Sequence, residues 1–172
     1  MPELILRPLT PADRSWVTQR ITESWGSETV VVHETVYHPE NLPGFAAESD
    51  GKIVGLLTYH IDGNAYEIVT LNAWHEGLGI GTALIEAAKQ AAIQAGCRRL
   101  WLVTTNDNTH ALRFYQKRGF MLCSLRVNAV AESRKIKPEI PPTGEDGIPI
   151  RDEIELDIDL RQVMDEKGFM LK

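Results

Sequence analysis

Long apolar runs, a cysteine framework and an excess of positive charge are all missing from this sequence. No stretch approaches the roughly eighteen apolar residues that a membrane span requires. The run Leu4-Ile5-Leu6 is broken at once by Arg7 and Pro8, so neither a membrane partner nor a secretory signal is expected. Two cysteines, Cys97 and Cys123, make no disulfide framework and no metal-ligand spacing. Both are expected to be buried, reduced thiols in a cytoplasmic protein, and no metal is expected. An acyl-enzyme on Cys123 would need a His–Cys arrangement, which the sequence does not offer. The formal net charge of −6 and the pI near 5.4 speak against a nucleic-acid partner, which needs a basic patch. A cationic amine is compatible with that charge.

What is present is enough for one domain over residues 1–172, with 43% hydrophobic residues to build its core. The stretch from Leu71 to Gly96 organises the rest. It reads as the end of a strand, a glycine-rich turn and one long helix. Ile80, Ala83, Leu84, Ala87, Ala88, Ala91, Ala92 and Ala95 form the apolar stripe of an amphipathic helix that Gly96 terminates. At its other end, Gly77, Gly79 and Gly81 let the backbone turn out of the strand. The N–H groups of Leu78, Gly79, Ile80, Gly81 and Thr82 are then available to an anion such as a pyrophosphate. A dinucleotide fingerprint fails on the letters, because Leu84 or Thr82 stands where its third glycine belongs. No Gly-Lys-Ser/Thr follows the turn, so a P-loop is excluded too.

Downstream, Asn108, Ala111, Tyr115, Gly119 and Phe120 complete an Asn-x-x-Ala-x-x-x-Tyr-x-x-x-Gly-Phe pattern. Together with Glu76-Gly77-Leu78-Gly79-Ile80-Gly81 it resembles the two motifs of the GCN5-related N-acetyltransferase superfamily, in order and with one strand between them. The resemblance covers about residues 3–127. It implies a single-domain α/β fold, a mixed central sheet of about seven strands flanked by helices, with acetyl-CoA as co-substrate. It further implies direct acetyl transfer to a primary amine of a small molecule or peptide in a ternary complex, often in a homodimer. A non-catalytic acyl-CoA-binding module is the alternative. Coenzyme contacts would come from the turn, from Asn108, and from the backbone near Leu71, Asn72 and Ala73, where two parallel strands splay around the pantetheine arm. The family has Gln or Arg at the position of Glu76, so this carboxylate is expected to point into solvent.

Two proton transfers set the chemistry. An amine of pKa near 10.4 is neutral in about one molecule in a thousand at pH 7.4, a deficit of about 4 kcal/mol. A thiol of pKa near 8.5 leaves as thiolate at a cost of only about 1.5 kcal/mol. A base therefore matters more than an acid. Tyr115 matches the family tyrosine that protonates the departing thiolate. Glu67, charged within the apolar run Ala65-Tyr66-Glu67-Ile68-Val69, is the first choice of base, since burial would raise a carboxyl towards neutrality. His33, His38 and His60 are the alternatives.

The remaining elements follow from local signals. Glu3 to Arg7 reads as a strand, and Thr10-Pro-Ala-Asp13 starts a helix that ends near Gly26. Thr29 to Val36 is β-branched and reads as a strand or an edge of the acceptor site. Phe45–Ser49, Lys52–His60 and Ala65–Asn72 form an antiparallel meander with turns at Asp50-Gly51 and Asp62-Gly63-Asn64. Arg99 to Thr105 is the next strand. Residues 128–149 read as an irregular stretch, either an active-site flap with Arg134, Lys135 and Lys137 near coenzyme or substrate, or a solvated excursion. A last strand is expected over about 150–160, where Ile154, Leu156, Ile158 and Leu160 alternate with a solvated row of Glu153, Glu155, Asp157 and Asp159. A frayed tail is expected over 161–172.

Overall fold

The computed structural model describes residues 2–167. Its strands are β1 (Leu4–Pro8), β2 (Val30–Val32), β3 (Thr35–Tyr37), β4 (Gly44–Ser49), β5 (Lys52–Asp62), β6 (Ala65–Ala73), β7 (Arg99–Thr105), β8 (Met121–Arg126) and β9 (Glu153–Asp159). Its helices are α1 (Arg14–Trp25), α2 (Ile80–Gln94), α3 (Thr109–Lys117), α4 (Ala129–Ile136) and α5 (Leu160–Lys167). Seven strands form one mixed sheet in the order β1-β4-β5-β6-β7-β9-β8, and β2 pairs with β3 alone. The chain groups into two compact units. One holds residues up to Asp13, Leu42–Trp101 and Ile158 onward; the other holds Arg14–Asn41 and Leu102–Asp157.

In the first unit, β1, β4, β5 and β6 pair antiparallel in succession, and the parallel β6–β7 ladder joins Ala65, Tyr66 and Glu67 to Arg99, Leu100 and Trp101. Asp50 and Gly51 both adopt positive φ, 51° and 72°, which a two-residue hairpin turn requires. The helix α2 lays Ile80, Leu84, Ile85, Ala88 and Ala92 into the core. Ile85 belongs to that face although the expected stripe omits it, and Ala95 at the helix end is exposed. The helix stops in a Schellman motif, with Gly96 at φ 78°, its N–H bonded to Ile93 and that of Cys97 bonded to Ala92. Contact with the sheet is close because Gly55 of β5 has no side chain. A Cβ there would lie 2.5 Å from Ile80 Cγ2 and 3.1 Å from Leu84 Cδ1.

Arg7 ties β1 down. Its guanidinium donates to both oxygens of the buried Asp13 at 2.8 Å, and its Nε donates to Glu48 at 2.7 Å. Asp13 also accepts the Thr10 N–H at 2.8 Å, closing the turn that the Thr-Pro-Ala-Asp signal predicts.

In the second unit, α1 buries Val17 and Ile21. Residues 29–36 are two short strands rather than one. The chain reverses at His33 and Glu34, both with positive φ, 47° and 65°. Helix α4 replaces the first part of the expected irregular stretch. Arg134 is turned inward: its guanidinium donates to the carbonyls of Ile140, Pro141 and Ile150. Lys135 pairs with Glu132, and Lys137 donates to the carbonyl of Thr29. Arg134 and Lys137 thus serve the fold, which corrects the expectation that they face a ligand, while Lys135 is exposed beside Glu132. The following loop is pinned by Asn106, which donates to Pro149 and accepts from the N–H groups of Arg151 and Asp152.

Three further expectations are corrected. Cys97 is buried, but Cys123 is exposed on β8. The acidic row is not uniformly solvated: Glu153 is 5% exposed and accepts the His33 N–H, while Glu155 meets His33 Nε2 at 3.2 Å. Residues 161–167 continue α5, whose first turn is capped by Asp159 accepting the Arg161 N–H at 3.0 Å. Residues 168–172 of the expected tail lie outside the described residues. No helix among the described residues is long and apolar enough to cross a membrane.

The Gly55 contact yields a direct test. Gly55→Ala should destabilise the protein by about 1–3 kcal/mol through overpacking, seen as a lower urea midpoint at unchanged slope.

Candidate active site

In the unit that carries α2, β6 leads into a turn in which Gly77 and Gly79 take φ of 80° and 65°. Nothing would meet a Cβ at either position, so glycine is required there by dihedral angle and not by space. Gly79 is the N-cap of α2 in a left-handed conformation, with no side-chain cap. The first intrahelical bond runs from Ala83 N–H to Gly79, so the amides of Ile80, Gly81 and Thr82 stand ahead of it at the positive end of the helix. Ile80 and Leu84 are buried, which fixes where those amides sit. Leu78 is half-buried and Glu76 is exposed. The charge that departs from the family pattern is thus in solvent.

On β6, Leu71, Asn72 and Ala73 pair with Leu57, Leu56 and Gly55 of β5, while the ladder to β7 uses Ala65, Tyr66 and Glu67. The Asn72 Oδ1 is buried without a hydrogen-bond donor among the described residues. An orphaned acceptor beside a turn rich in N–H donors fits a ligand carrying both amides and phosphates. Glu67 is 3% exposed and occupies the ladder row of His60 and Trp101. Further along the same ladder, the hydroxyls of Thr58 and Thr70 share a buried hydrogen bond of 2.7 Å, and the register slips by one residue between Thr58 and Tyr59.

In the other unit, Asn108 caps α3 through its side chain, which accepts the Ala111 N–H at 3.1 Å. The spacing Asn-x-x-Ala is this bond. Gly119, at φ 93°, turns the chain back so that the Phe120 N–H bonds to the Tyr115 carbonyl at 3.1 Å. Phe120 is thereby buried edge-on to the Tyr115 ring, with centroids 5.4 Å apart. Tyr115-x-x-x-Gly119-Phe120 is one packed corner. The Tyr115 hydroxyl has no partner among the described residues, and burial pushes its pKa above the usual tyrosine value. The phenol therefore keeps its proton at any physiological pH.

The sequence model of the Acetyltransferase (GNAT) family matches residues 11–120. The chain belongs to this family. Among curated relatives, it is 41% identical over 152 residues to the uncharacterized protein YdhI of Bacillus subtilis, covering 88% of this chain and 95% of that one. It is 32% identical over 107 residues to the uncharacterized N-acetyltransferase MJ1530 of Methanocaldococcus jannaschii, covering 60% and 62%. Its fold is similar to a GNAT family acetyltransferase from Elizabethkingia anophelis solved with acetyl-CoA bound, at TM-score 0.66 and 20% identity over 91% of this chain and 97% of that one.

The histidines weighed as bases separate clearly. His33 is engaged by Glu153, Glu155 and Arg126, His38 lies 3.7 Å from Glu40, and His60 is exposed. The loop anchor Asn106 and the orphaned oxygen of Asn72 carry no sequence signal, since either side chain could as well be solvated. Among the described residues no group of three or more His, Cys, Asp or Glu is placed to hold a metal.

Asn108→Ala should cost about 1 kcal/mol of stability and Asn108→Asp close to none, measured by chemical denaturation.

Proposed function

We propose that the protein transfers acetyl from acetyl-CoA to a primary amine of a small molecule or peptide, directly, in a ternary complex. The observation that carries this reading is the α2 N-terminus: glycine-bent, without a side-chain cap, and anchored by buried Ile80 and Leu84. The amides of Leu78, Gly79, Ile80, Gly81 and Thr82 would hold the pyrophosphate, with Asn108 as a further contact. Backbone groups of Leu71, Asn72 and Ala73 would pair with the pantetheine arm and polarise the thioester carbonyl. The Asn72 Oδ1 would accept one of its amide N–H groups. The coenzyme, when bound, supplies the activated acetyl group.

Glu67 is the base in this reading, removing the proton from the acceptor amine directly or through water. Its burial at 3% exposure takes it out of the class of solvated strand-end glutamates. Tyr115, held protonated by burial, gives its proton to the thiolate as the carbon–sulfur bond breaks. The enzyme is read as cytoplasmic and as a homodimer.

Titration calorimetry with acetyl-CoA, using NAD and ATP as controls, tests the coenzyme site, and thiol release across an amine panel tests the reaction. Micromolar, one-site binding of acetyl-CoA alone is expected. Tyr115→Phe should lower turnover about tenfold, matching the roughly 1.5 kcal/mol cost of an unassisted thiolate, with coenzyme affinity unchanged. An equal turnover would remove its assigned role. Glu67 acts only when deprotonated, so the wild-type rate should fall as pH drops. Glu67→Gln should lower the rate at neutral pH and leave only the part of the acid limb set by the acceptor amine's own protonation; a pH–rate profile unaltered from wild type would exclude Glu67 as the base.

A further inference from the structure

Three side-chain pairs across β5 and β6 share one face of the sheet. His60 pairs with Glu67, Thr58 with Thr70 and Leu56 with Asn72. Leu56, Thr58 and His60 alternate along β5, so their side chains point the same way. That face is turned away from α2, because a Cβ on Gly55, one residue off the alternation, would meet Ile80 and Leu84. On β6, Glu67 and Thr70 are three positions apart, and a regular strand would turn them to opposite faces. The bulge decides the outcome. Thr70 pairs with Thr58 and Ile68 with Tyr59, which leaves Val69 as the extra residue. Thr70 is thereby brought onto the face of Glu67, and Asn72 with it.

The hydroxyls in this row do not balance. Thr58 is 0% and Thr70 2% exposed, and their oxygens lie 2.7 Å apart. Two hydroxyls bring two protons, and the bond between them uses one. Among the described residues neither hydroxyl meets another acceptor, so one buried O–H is left over. A buried donor without an acceptor is unfavourable, and it points to an acceptor from outside the chain. Next along the same face, the buried Asn72 Oδ1 lacks a donor. A spare donor and a spare acceptor in succession suit a ligand that carries both carbonyl and amide groups along its length.

We propose that Thr70 donates this hydrogen bond to the oxygen of the acyl carbonyl under attack, with Thr58 donating to Thr70 behind it. The inference rests on the acetyl-transfer reading and adds a catalytic side chain to it. Thr58 is enclosed, since β5 pairs there with Gly44 on one side and Thr70 on the other. Thr70 precedes the Leu71–Ala73 segment assigned to the pantetheine arm, and the ladder from β6 to β7 ends at Glu67. The rows of Thr70 and Glu67 are two β5 positions apart, about 7 Å along the strand. A base for the attacking nitrogen and a donor for the carbonyl oxygen need about that separation, because a hydrogen bond, a near-attack contact and a second hydrogen bond lie between them. Thr70 keeps its proton throughout. The nitrogen–carbon bond forms, the carbon–sulfur bond breaks, Glu67 takes the amine's proton and Tyr115 supplies that of the thiol. Thr58, bonded behind Thr70, strengthens the donor by polarising it.

The test compares the full-length wild type with the double variant Thr58→Val, Thr70→Val. With acetyl-CoA isotopically labelled at its thioester carbonyl and bound without amine, the infrared carbonyl stretch should lie at lower frequency in wild type, because a hydrogen bond weakens the double bond. In the amine panel the double variant should lose about a hundredfold in turnover, with a far smaller loss of acetyl-CoA affinity. Its urea midpoint should be at or above that of wild type, since replacing both hydroxyls by methyls leaves no polar group of the pair unmatched. The acid limb of the pH–rate profile should persist, because Glu67 is untouched. Thr70→Ser keeps the oxygen and should recover most of the turnover. A double variant within about twofold of wild-type turnover, or an unshifted carbonyl stretch, would overturn the proposal and leave the spare proton to a buried water. So would loss of the acid limb, or Thr70→Ser as slow as the double variant. Wild type that binds acetyl-CoA but releases no thiol with any amine would overturn the acetyl-transfer reading, while the carbonyl stretch still decides the hydrogen bond. Wild type that does not bind acetyl-CoA would overturn both.

Discussion

The absence of one side chain, at Gly55, sets how closely α2 approaches the sheet, and the rest of the first unit is arranged around that contact. Ile80 and Leu84 occupy the space a Cβ would need. They are also the first and fifth residues of the helix, so the packing that holds the helix down holds its N-terminus in place. The amides ahead of the first intrahelical bond are thereby fixed by the core rather than by a flexible loop. An anion-binding end made of backbone is rigid, and no side chain must be ordered to use it. An exposed glutamate at Glu76 is therefore compatible with the proposed pyrophosphate site, which would bind through the amides of the turn while the side chain stays in water.

The second unit solves a different problem, which is how to keep a tyrosine protonated and fixed. Gly119 reverses the chain, Phe120 packs against the ring, and the Tyr115 carbonyl closes the corner by accepting the Phe120 N–H. Burial raises the phenol's pKa above the usual tyrosine value. Glu67, on β6, is buried, as are its strand neighbours Tyr66, Ile68 and Val69. The two groups assigned to proton transfer sit in two different local environments, each set by its own strand or corner.

What could be read from the letters was what local geometry dictates. The Asn-x-x-Ala spacing is a helix cap, Gly96 is a Schellman glycine, and Asp50-Gly51 is a tight turn; each depends on a few adjacent residues. The meander and β7 were legible for the same reason. Illegible features depend on partners far along the chain. Arg134 reads as a free cation until Ile140, Pro141 and Ile150 turn their carbonyls towards it. Glu153 belongs to an alternating acidic row and is buried only because the hairpin of β2 and β3 brings His33 over it. That hairpin was itself hidden, because its turn residues are His33 and Glu34 and not the glycine or asparagine that positive φ favours. The candidate residues on β6 and at the glycine turn are named by pattern alone, whereas the orphaned acceptor of Asn72 needs the fold to show it.

The hairpin's tip is held by side chains, not by a ladder to the main sheet. His33 grips Glu153, Glu155 and Arg126, and the backbone there stands in a conformation that neither residue prefers. A segment fastened this way is evolutionarily detachable. Its length and sequence can drift while β4, β5 and β6 stay untouched, because no register in that meander refers to it. One imidazole acts as the hook, and exchanging it re-aims the whole hairpin without rewriting a strand.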